Sequence, residues 1–205
     1  MSHNSMNGHC EEQGMVYRLV TRWIGLMLVA AAPLALFGAP AAAQFSDRYE
    51  FLKAIKDGDA NAAISKLNSG IYPDVREADG TPALMVAATH GGMPWVALLL
   101  KHGADPDIAN RSDGKTVLMY FAERGDVDSV KIMLGQGANV DAVDSLGETA
   151  LIKAVRLRNL RVVQAILDAN PRLDVQDSTG NTALDYAEYS RDRRIQKLLA
   201  DAAGR

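Results

Sequence analysis

The stretch GETALIKAV at residues 147–155 returns as GNTALDYAE at residues 180–188, thirty-three residues later. Related phrases stand earlier in the chain, GTPALMVAA at 80–88 and GKTVLMYFA at 114–122, so that the four opening glycines are 34, 33 and 33 residues apart. Self-similarity at such a period is typical of repeat architectures, in which each unit is one small supersecondary element. The chain is therefore predicted to be a stack of near-copies of one unit.

Each unit is predicted to contain two short helices. Three units carry a threonine two residues after the glycine, Thr116, Thr149 and Thr182, whose hydroxyl can accept hydrogen bonds from the free N–H groups of a helix start. Apolar residues four apart, such as Leu118 and Ala122, then form one face of a helix. A second, densely apolar run such as SVKIMLGQG ends at a glycine suited to the left-handed residue that follows many helices. The polar residues after that glycine predict a projecting turn.

The repeated phrase resembles the ankyrin repeat, whose pattern runs Gly, Thr-Pro-Leu-His-Leu-Ala-Ala, Gly-His, Val-Val with a leucine run, and Gly-Ala-Asp. Residues 80–199 match this pattern over four units, and residues 47–79 look like a divergent first unit. The resemblance implies an all-α ankyrin-repeat solenoid of stacked helix-turn-helix units with projecting hairpin loops. The repeat domain is predicted over residues 44–205, with units at about 47–79, 80–113, 114–146, 147–179 and 180–205.

The chain departs from the family pattern at the histidine, which is replaced by Met85, Met119, Ile152 and Asp185. The family's hydrogen bonds between threonine and histidine are therefore expected to be largely missing. Packing must hold the turns together instead, and we expect a stability below that of a consensus array.

Four further residues have expected structural roles. Leu99 and Leu134 belong to second helices and are expected in the core, where truncation would leave a cavity. Trp95 is expected to fill space between repeats, although a partly exposed anchor for a partner is the alternative. Pro94 precedes it in the predicted first turn of a helix, where proline is tolerated.

The N-terminal region is typical of a secretory signal. Residues 23–43 carry no charge, Arg18 and Arg22 stand just before them, and the run ends in small residues. Residues 1–43 are therefore predicted to be a signal peptide cleaved after Ala43, which makes this an exported bacterial-type protein, periplasmic or secreted. The run is also long enough to span a bilayer, so a protein anchored in the inner membrane is the alternative.

The first fourteen residues fit no part of a signal peptide. A start at Met15 gives a normal basic beginning, and we take it as the hypothetical true start. The only cysteine, Cys10, lies before it, so a mature chain from Gln44 would have no disulfide or thiol chemistry.

The residue content argues against several function classes. A formal net charge of −3 provides no basic footprint for nucleic acid. His90 and His102 lie in different predicted elements with no carboxylate at ligand spacing, and no nucleophile motif or phosphate-binding glycine loop occurs. Asp105 and Asp107 stand where the family uses polar side chains to brace the hairpin. We expect no enzyme activity, no catalytic, cofactor or metal site, and a monomer.

The resemblance implies a protein partner on the concave side, bound through hairpin tips and the ends of first helices. The middle units place Arg111, Lys115, Arg124 and Arg156 against only two acidic residues, which suggests a mildly basic patch for an acidic partner. A solvated mixed-charge face is the alternative. The predicted contact residues are Arg76, Asp79, Thr81, Thr89, His90, Arg111, Ser112, Lys115, Glu123, Arg124, Leu146, Glu148, Arg156, Leu157 and Tyr189.

Overall fold

The computed structural model describes residues 39–204, with side chains from Ser46 onward. The repeated helix pairs lie in one compact unit that begins at Asp47. The predicted signal segment lies outside the described residues, apart from residues 39–43. Residues 39–204 form ten α-helices and no strand: α1 Ala39–Asp57, α2 Ala60–Asn68, α3 Ala83–His90, α4 Met93–Lys101, α5 Val117–Arg124, α6 Val127–Gly135, α7 Ala150–Arg156, α8 Leu160–Leu167, α9 Ala183–Ser190 and α10 Arg193–Ala203.

The helices stack in two rows. The pairs α3–α4, α5–α6, α7–α8 and α9–α10 pack within units, and each pair is joined by two or three residues. The first helices α3, α5, α7 and α9 contact one another in order, as do the second helices α6, α8 and α10. This arrangement confirms the all-α solenoid of helix-turn-helix units. No helix in the described residues is both long enough and apolar enough to cross a membrane.

Side chains cap the helix starts as the sequence predicts. The hydroxyls of Thr116, Thr149 and Thr182 accept hydrogen bonds from backbone N–H groups in the first turns of α5, α7 and α9. Most second helices have an Asp or Asn as N-cap, and its side chain also accepts from a backbone N–H group of the first turn. These N-caps are Asp59, Asp126, Asn159 and Asp192. Because a side-chain cap satisfies a donor that the helix cannot, these residues fix where each helix begins.

Helix α4 is the exception among the second helices. Its N-cap is Gly92, which has no side chain to accept a hydrogen bond from the first turn and has a φ of 67°. The neighbouring Gly91 has an ordinary negative φ, and Trp95 covers it so closely that an added Cβ would overlap the indole. Trp95 is partly buried against the core, which is its expected packing role. Pro94 lies in the first turn of α4, as predicted.

Packing replaces the family's hydrogen-bonded histidine in the middle units. Met85, Met119 and Ile152 are all buried in the core. Asp185 instead forms a capping box with Thr182, whose hydroxyl lies 2.7 Å from Oδ2. The polar network thus persists only at the last unit, where the stack ends.

The two leucines that were predicted in the core of second helices differ in burial. Leu99 is fully buried, but Leu134 is only partly buried. The neighbouring Met133 is fully buried in its place, because the helix turns that residue towards the core. The prediction that Leu134 lies in the core was therefore wrong, and the core position is one residue earlier, at Met133.

The hairpin loops are joined to one another by hydrogen bonds. Asp107 Oδ1 accepts from Asn139 N at 2.7 Å, and Asp105 Oδ1 accepts from Asp107 N at 2.9 Å. Similar bonds reach from one loop to the next at Asp74 and Asp141. Asp105 and Asp107 thus brace the loops, as the sequence predicts.

Candidate interaction surface

The predicted contact residues lie in the loops before the first helices and in or just after the last turns of those helices. Most of them are exposed, and five are more covered. The exposed residues are Asp79, Thr89, His90, Arg111, Ser112, Arg124, Leu146, Arg156, Leu157 and Tyr189. The partly buried residues are Arg76, Thr81, Lys115 and Glu123, and Glu148 is buried.

A buried lysine lies at the centre of this surface. Lys153, on α7, has a side chain that is 5% exposed, and its Nζ lies 2.7 Å from Asp144 Oδ2 and 2.8 Å from Glu148 Oε2. Glu123, on the preceding first helix, contributes Oε1 at 3.1 Å. A buried charge is tolerated only when it is paired and hydrogen-bonded, and the Lys153 ammonium group donates to Glu148 and forms ion pairs with Asp144 and Glu123 as well. We call Lys153, Asp144, Glu148 and Glu123 the Lys153 cluster.

Asp144 is held in place by the loop that carries it. Its Oδ1 accepts from the backbone N–H groups of Leu146 and Glu148, each at 2.9 Å. The other oxygen is left for Lys153. In the described part of the chain, no buried side-chain nitrogen or oxygen lacks a hydrogen-bond partner.

Two cations of the predicted basic patch are paired around the cluster. Lys115 Nζ lies 3.0 Å from Glu123 Oε1, and Arg156 pairs with Glu148. Arg111 and Arg124 have no ion-pair partner among the described residues. Arg124 instead lies over the ring of Tyr120, 5.6 Å from its centroid. Half of the predicted positive charge is therefore neutralised within the protein.

Sequence reasoning missed Lys153 because it stands within an apolar helix face. Lys153 lies four residues after the capping threonine of its repeat, and the residues at the same place in the neighbouring repeats are Tyr120 and Tyr186. The available signal was therefore a single charged residue at a position that is otherwise aromatic. What the sequence alone does not reveal is that carboxylates from two repeats converge on it.

A cleft of about 380 Å³ opens beside the cluster. It is lined by Glu123, Glu148, Lys153, Arg156 and Leu157. The charged side chains in its walls are held in ion pairs, and Leu157 is exposed. The cleft therefore presents apolar surface beside charged groups with fixed positions. Among the described residues, no group of three or more His, Cys, Asp or Glu side chains is placed to hold a metal ion.

Asp177 occupies in the last unit the position that Asp144 occupies in the unit before. Its Oδ2 accepts from the hydroxyl of Tyr186 at 2.5 Å, and Oδ1 accepts from Thr179 and Asn181. Burial opposes ionisation of this carboxyl, but the hydrogen bonds from Thr179, Tyr186 and Asn181 hold its pKa well below the ordinary value. The last unit thus uses a tyrosine hydroxyl where its neighbour uses an ammonium group.

Apolar side chains are exposed at the same end of the surface. Leu146 at a hairpin tip, Leu157 after α7 and Tyr189 on α9 are each more than half exposed, at 54%, 55% and 70%. Tyr186 packs edge-to-face with Tyr189, and Arg156 lies 5.5 Å from the centroid of the Tyr186 ring. The surface therefore divides into a polar part around Arg111 and Arg124 and an apolar, aromatic part near Leu157.

Arg76 has a role within the hairpins. Its Nη1 donates to the carbonyl oxygens of Gly80 at 2.9 Å and Ala109 at 2.7 Å, which joins two neighbouring loops. His90 has its Nδ1 within hydrogen-bond distance of Thr89 Oγ1 and Val86 O. Both side chains are thus engaged with their own stack.

Comparison with known proteins agrees with this architecture. The family model described as ankyrin repeats in three copies matches residues 42–144 and 118–204. No curated protein matches the chain. Members of the family are generally non-catalytic and serve as protein–protein interaction modules. With the match extending over most of its length, the chain belongs to the ankyrin-repeat family.

Proposed function

We propose that the protein is exported and binds an acidic, partly apolar segment of a partner protein along the hairpin tips and first-helix ends. The binding part of this proposal rests on which cations of the surface are already ion-paired. Lys115 and Arg156 are paired internally, whereas the exposed Arg111 and Arg124 have no ion pair in the described residues. Unpaired arginines can bind a partner's carboxylates without first breaking an internal pair.

The two arginines are also positioned by packing. Arg111 lies across the hairpin of the preceding unit, where an added Cβ on Gly80 would come within 2.7 Å of Arg111 Cβ. Arg124 rests on Tyr120. Side chains that are already positioned lose less conformational freedom on binding, which favours affinity.

The apolar half of the surface supports the other part of the proposal. Leu157, which lines the cleft, and Tyr189 are both exposed, and aromatic residues are enriched in protein interfaces. A partner segment with acidic residues at one end and an apolar residue at the other would match both halves. A solvated face without a partner is the opposing interpretation.

The binding experiment uses charge reversal with a matched control. Three baits are used to capture exported proteins of the source organism: the wild-type protein, Arg111→Glu/Arg124→Glu and Lys101→Glu/Lys131→Glu. The control pair reverses two exposed lysines on second helices. We expect a captured protein that is lost with the arginine variant and kept with the control. A partner captured equally by all three baits would contradict the proposed patch.

Export is proposed from the uncharged run at residues 23–43 and the basic residues before it. Cell fractionation with N-terminal sequencing tests it, and a chain that begins at Gln44 in the exported fraction is expected. A membrane-bound chain that retains the run would instead support a tethered adaptor.

A further inference from the structure

A cluster of arginines lies at the turn between α9 and α10. It lines a cleft of about 350 Å³, which we call the arginine cleft. None of its residues is a predicted partner contact. The lining residues are Arg158, Ser190, Arg191, Asp192, Arg193 and Arg194.

Two of these arginines adopt a backbone conformation that favours glycine. Arg158 has φ 56° and Arg191 has φ 53°. The same place in two earlier repeats is taken by Gly58 and Gly125, at φ 74° and 72°. A left-handed conformation is unfavourable for an L-residue with a long side chain. The last two units thus keep arginine where glycine would fit the turn better.

The charges of the cleft are poorly balanced. Arg193 and Arg194 lie in the first turn of α10, where the helix dipole disfavours cations. The one carboxylate in the lining, Asp192, accepts from the backbone N–H of Arg194 and lies 3.5 Å from that residue's Nε. Arg191 and Arg193 have no ion-pair partner among the described residues. The result is a concentration of positive charge on a chain whose net charge is −3.

One arginine of the lining forms a hydrogen bond within the protein. Arg158 Nη2 donates to the carbonyl oxygen of Ser190, the last residue of α9, and so links the two units. This fixes one wall, while the guanidinium groups of Arg191 and Arg193 are unpaired beside it. A carboxylate has two acceptor oxygens in one plane, whereas a phosphate group has a third, so that it can accept from several guanidinium groups around it.

We propose that the arginine cleft binds the phosphate group of an anionic ligand. Guanidinium forks match phosphate oxygens in geometry and keep their charge at any physiological pH. The cleft is large enough for a phosphate that is part of a larger molecule. The phosphate can come from a soluble anion or from a phospholipid headgroup, and the two sources are separated by experiment.

The experiment has two arms, both with the purified protein. Calorimetry with inorganic pyrophosphate tests the soluble source. Sedimentation with phosphatidylglycerol vesicles, compared with phosphatidylcholine vesicles, tests the headgroup. We expect binding in at least one arm, weakened at least tenfold in Arg191→Gly/Arg193→Gln/Arg194→Gln. The control Lys53→Gln/Lys101→Gln/Lys131→Gln removes the same net charge from exposed positions on other helices and should bind like wild type.

Three results would overturn the proposal: no binding in either arm, equal binding by both variants, or equal loss in both variants. The single variant Arg191→Gly adds a second readout. Because glycine suits φ 53°, its melting temperature should equal or exceed that of wild type while phosphate binding weakens. A lower melting temperature with unchanged binding would mean that Arg191 has only a structural role.

Discussion

Lys153 and Asp144 form a buried ion pair, with Nζ 2.7 Å from Oδ2 and side chains that are 5% and 2% exposed. The pair joins the first helix of one unit to the hairpin loop before it, and Glu123 brings in the preceding unit. The stack is therefore held at this point by charge as well as by apolar contact.

Removal of the lysine should destabilise the protein strongly. Lys153→Met would leave the buried Asp144 without its cation and Glu148 with Arg156 alone, and breaking a buried pair in this way costs about 3–5 kcal/mol. Lys153→Tyr should cost less, because Tyr186 donates to Asp177 from the same position in the next unit. Urea denaturation measures both.

Lys131→Met is the control for that series, since Lys131 is exposed and should shift the free energy of unfolding by no more than about 0.5 kcal/mol. If Lys153→Met proved as mild as this control, the cluster would not be buried in solution.

The acid dependence of stability should depend on Asp177. Its pKa is lowered in the folded state, below an unfolded value of about 3.9. Its stabilising contribution is therefore fully present above about pH 4 and is lost as the pH falls towards the folded pKa. Tyr186→Phe removes one donor, so the free energy of unfolding should fall less steeply on acidification. Denaturation at a series of pH values measures this slope.

Tyr189→Phe serves as the comparison, because that hydroxyl is exposed and its bond to Asn181 is long, at 3.4 Å. The slope should match wild type. A Tyr186→Phe slope indistinguishable from both would mean that the tyrosine hydroxyl contributes nothing to the ionised state of Asp177.

The features that the sequence predicted are local ones. A threonine cap, a glycine after a helix and an apolar face each depend on residues close together in the chain, so Thr116 and Gly137 could be interpreted directly. The Lys153 cluster could not, because its carboxylates come from a hairpin loop and from the neighbouring unit. Its geometry depends on how units stack.

Small irregularities in the repeat were missed for a similar reason. By the repeat spacing Gly91 aligns with Gly125, but in this turn of two glycines the positive φ belongs to Gly92, and Trp95 lies over Gly91. Arg158 and Arg191 stand in the sequence where Gly125 stands in the unit before them. The structure shows that both keep a positive φ there, which the substitution of glycine by arginine does not by itself predict.

Truncation in a second helix should separate Leu99 from Leu134, which were both expected in the core. Leu99→Ala removes a fully buried side chain and should cost about 2–5 kcal/mol through transfer and cavity terms. Leu134→Ala should cost clearly less, because Leu134 is only partly buried. Equilibrium denaturation of the two variants measures the difference, and equal losses would contradict the helix phase seen in α6.

The loop glycines Gly114 and Gly180 should differ in tolerance of a side chain. Both have positive φ, 71° and 81°, so alanine at either introduces left-handed strain of about 1–2 kcal/mol. A Cβ on Gly114 would also lie 2.7 Å from Ser145 N in the next hairpin, whereas Gly180 faces open space. That amide donates to Asp113 O at 2.9 Å, so Gly114→Ala must push the two loops apart. We expect Gly114→Ala to be the more destabilising in chemical denaturation, and equal effects would mean that the loops do not pack against each other in solution.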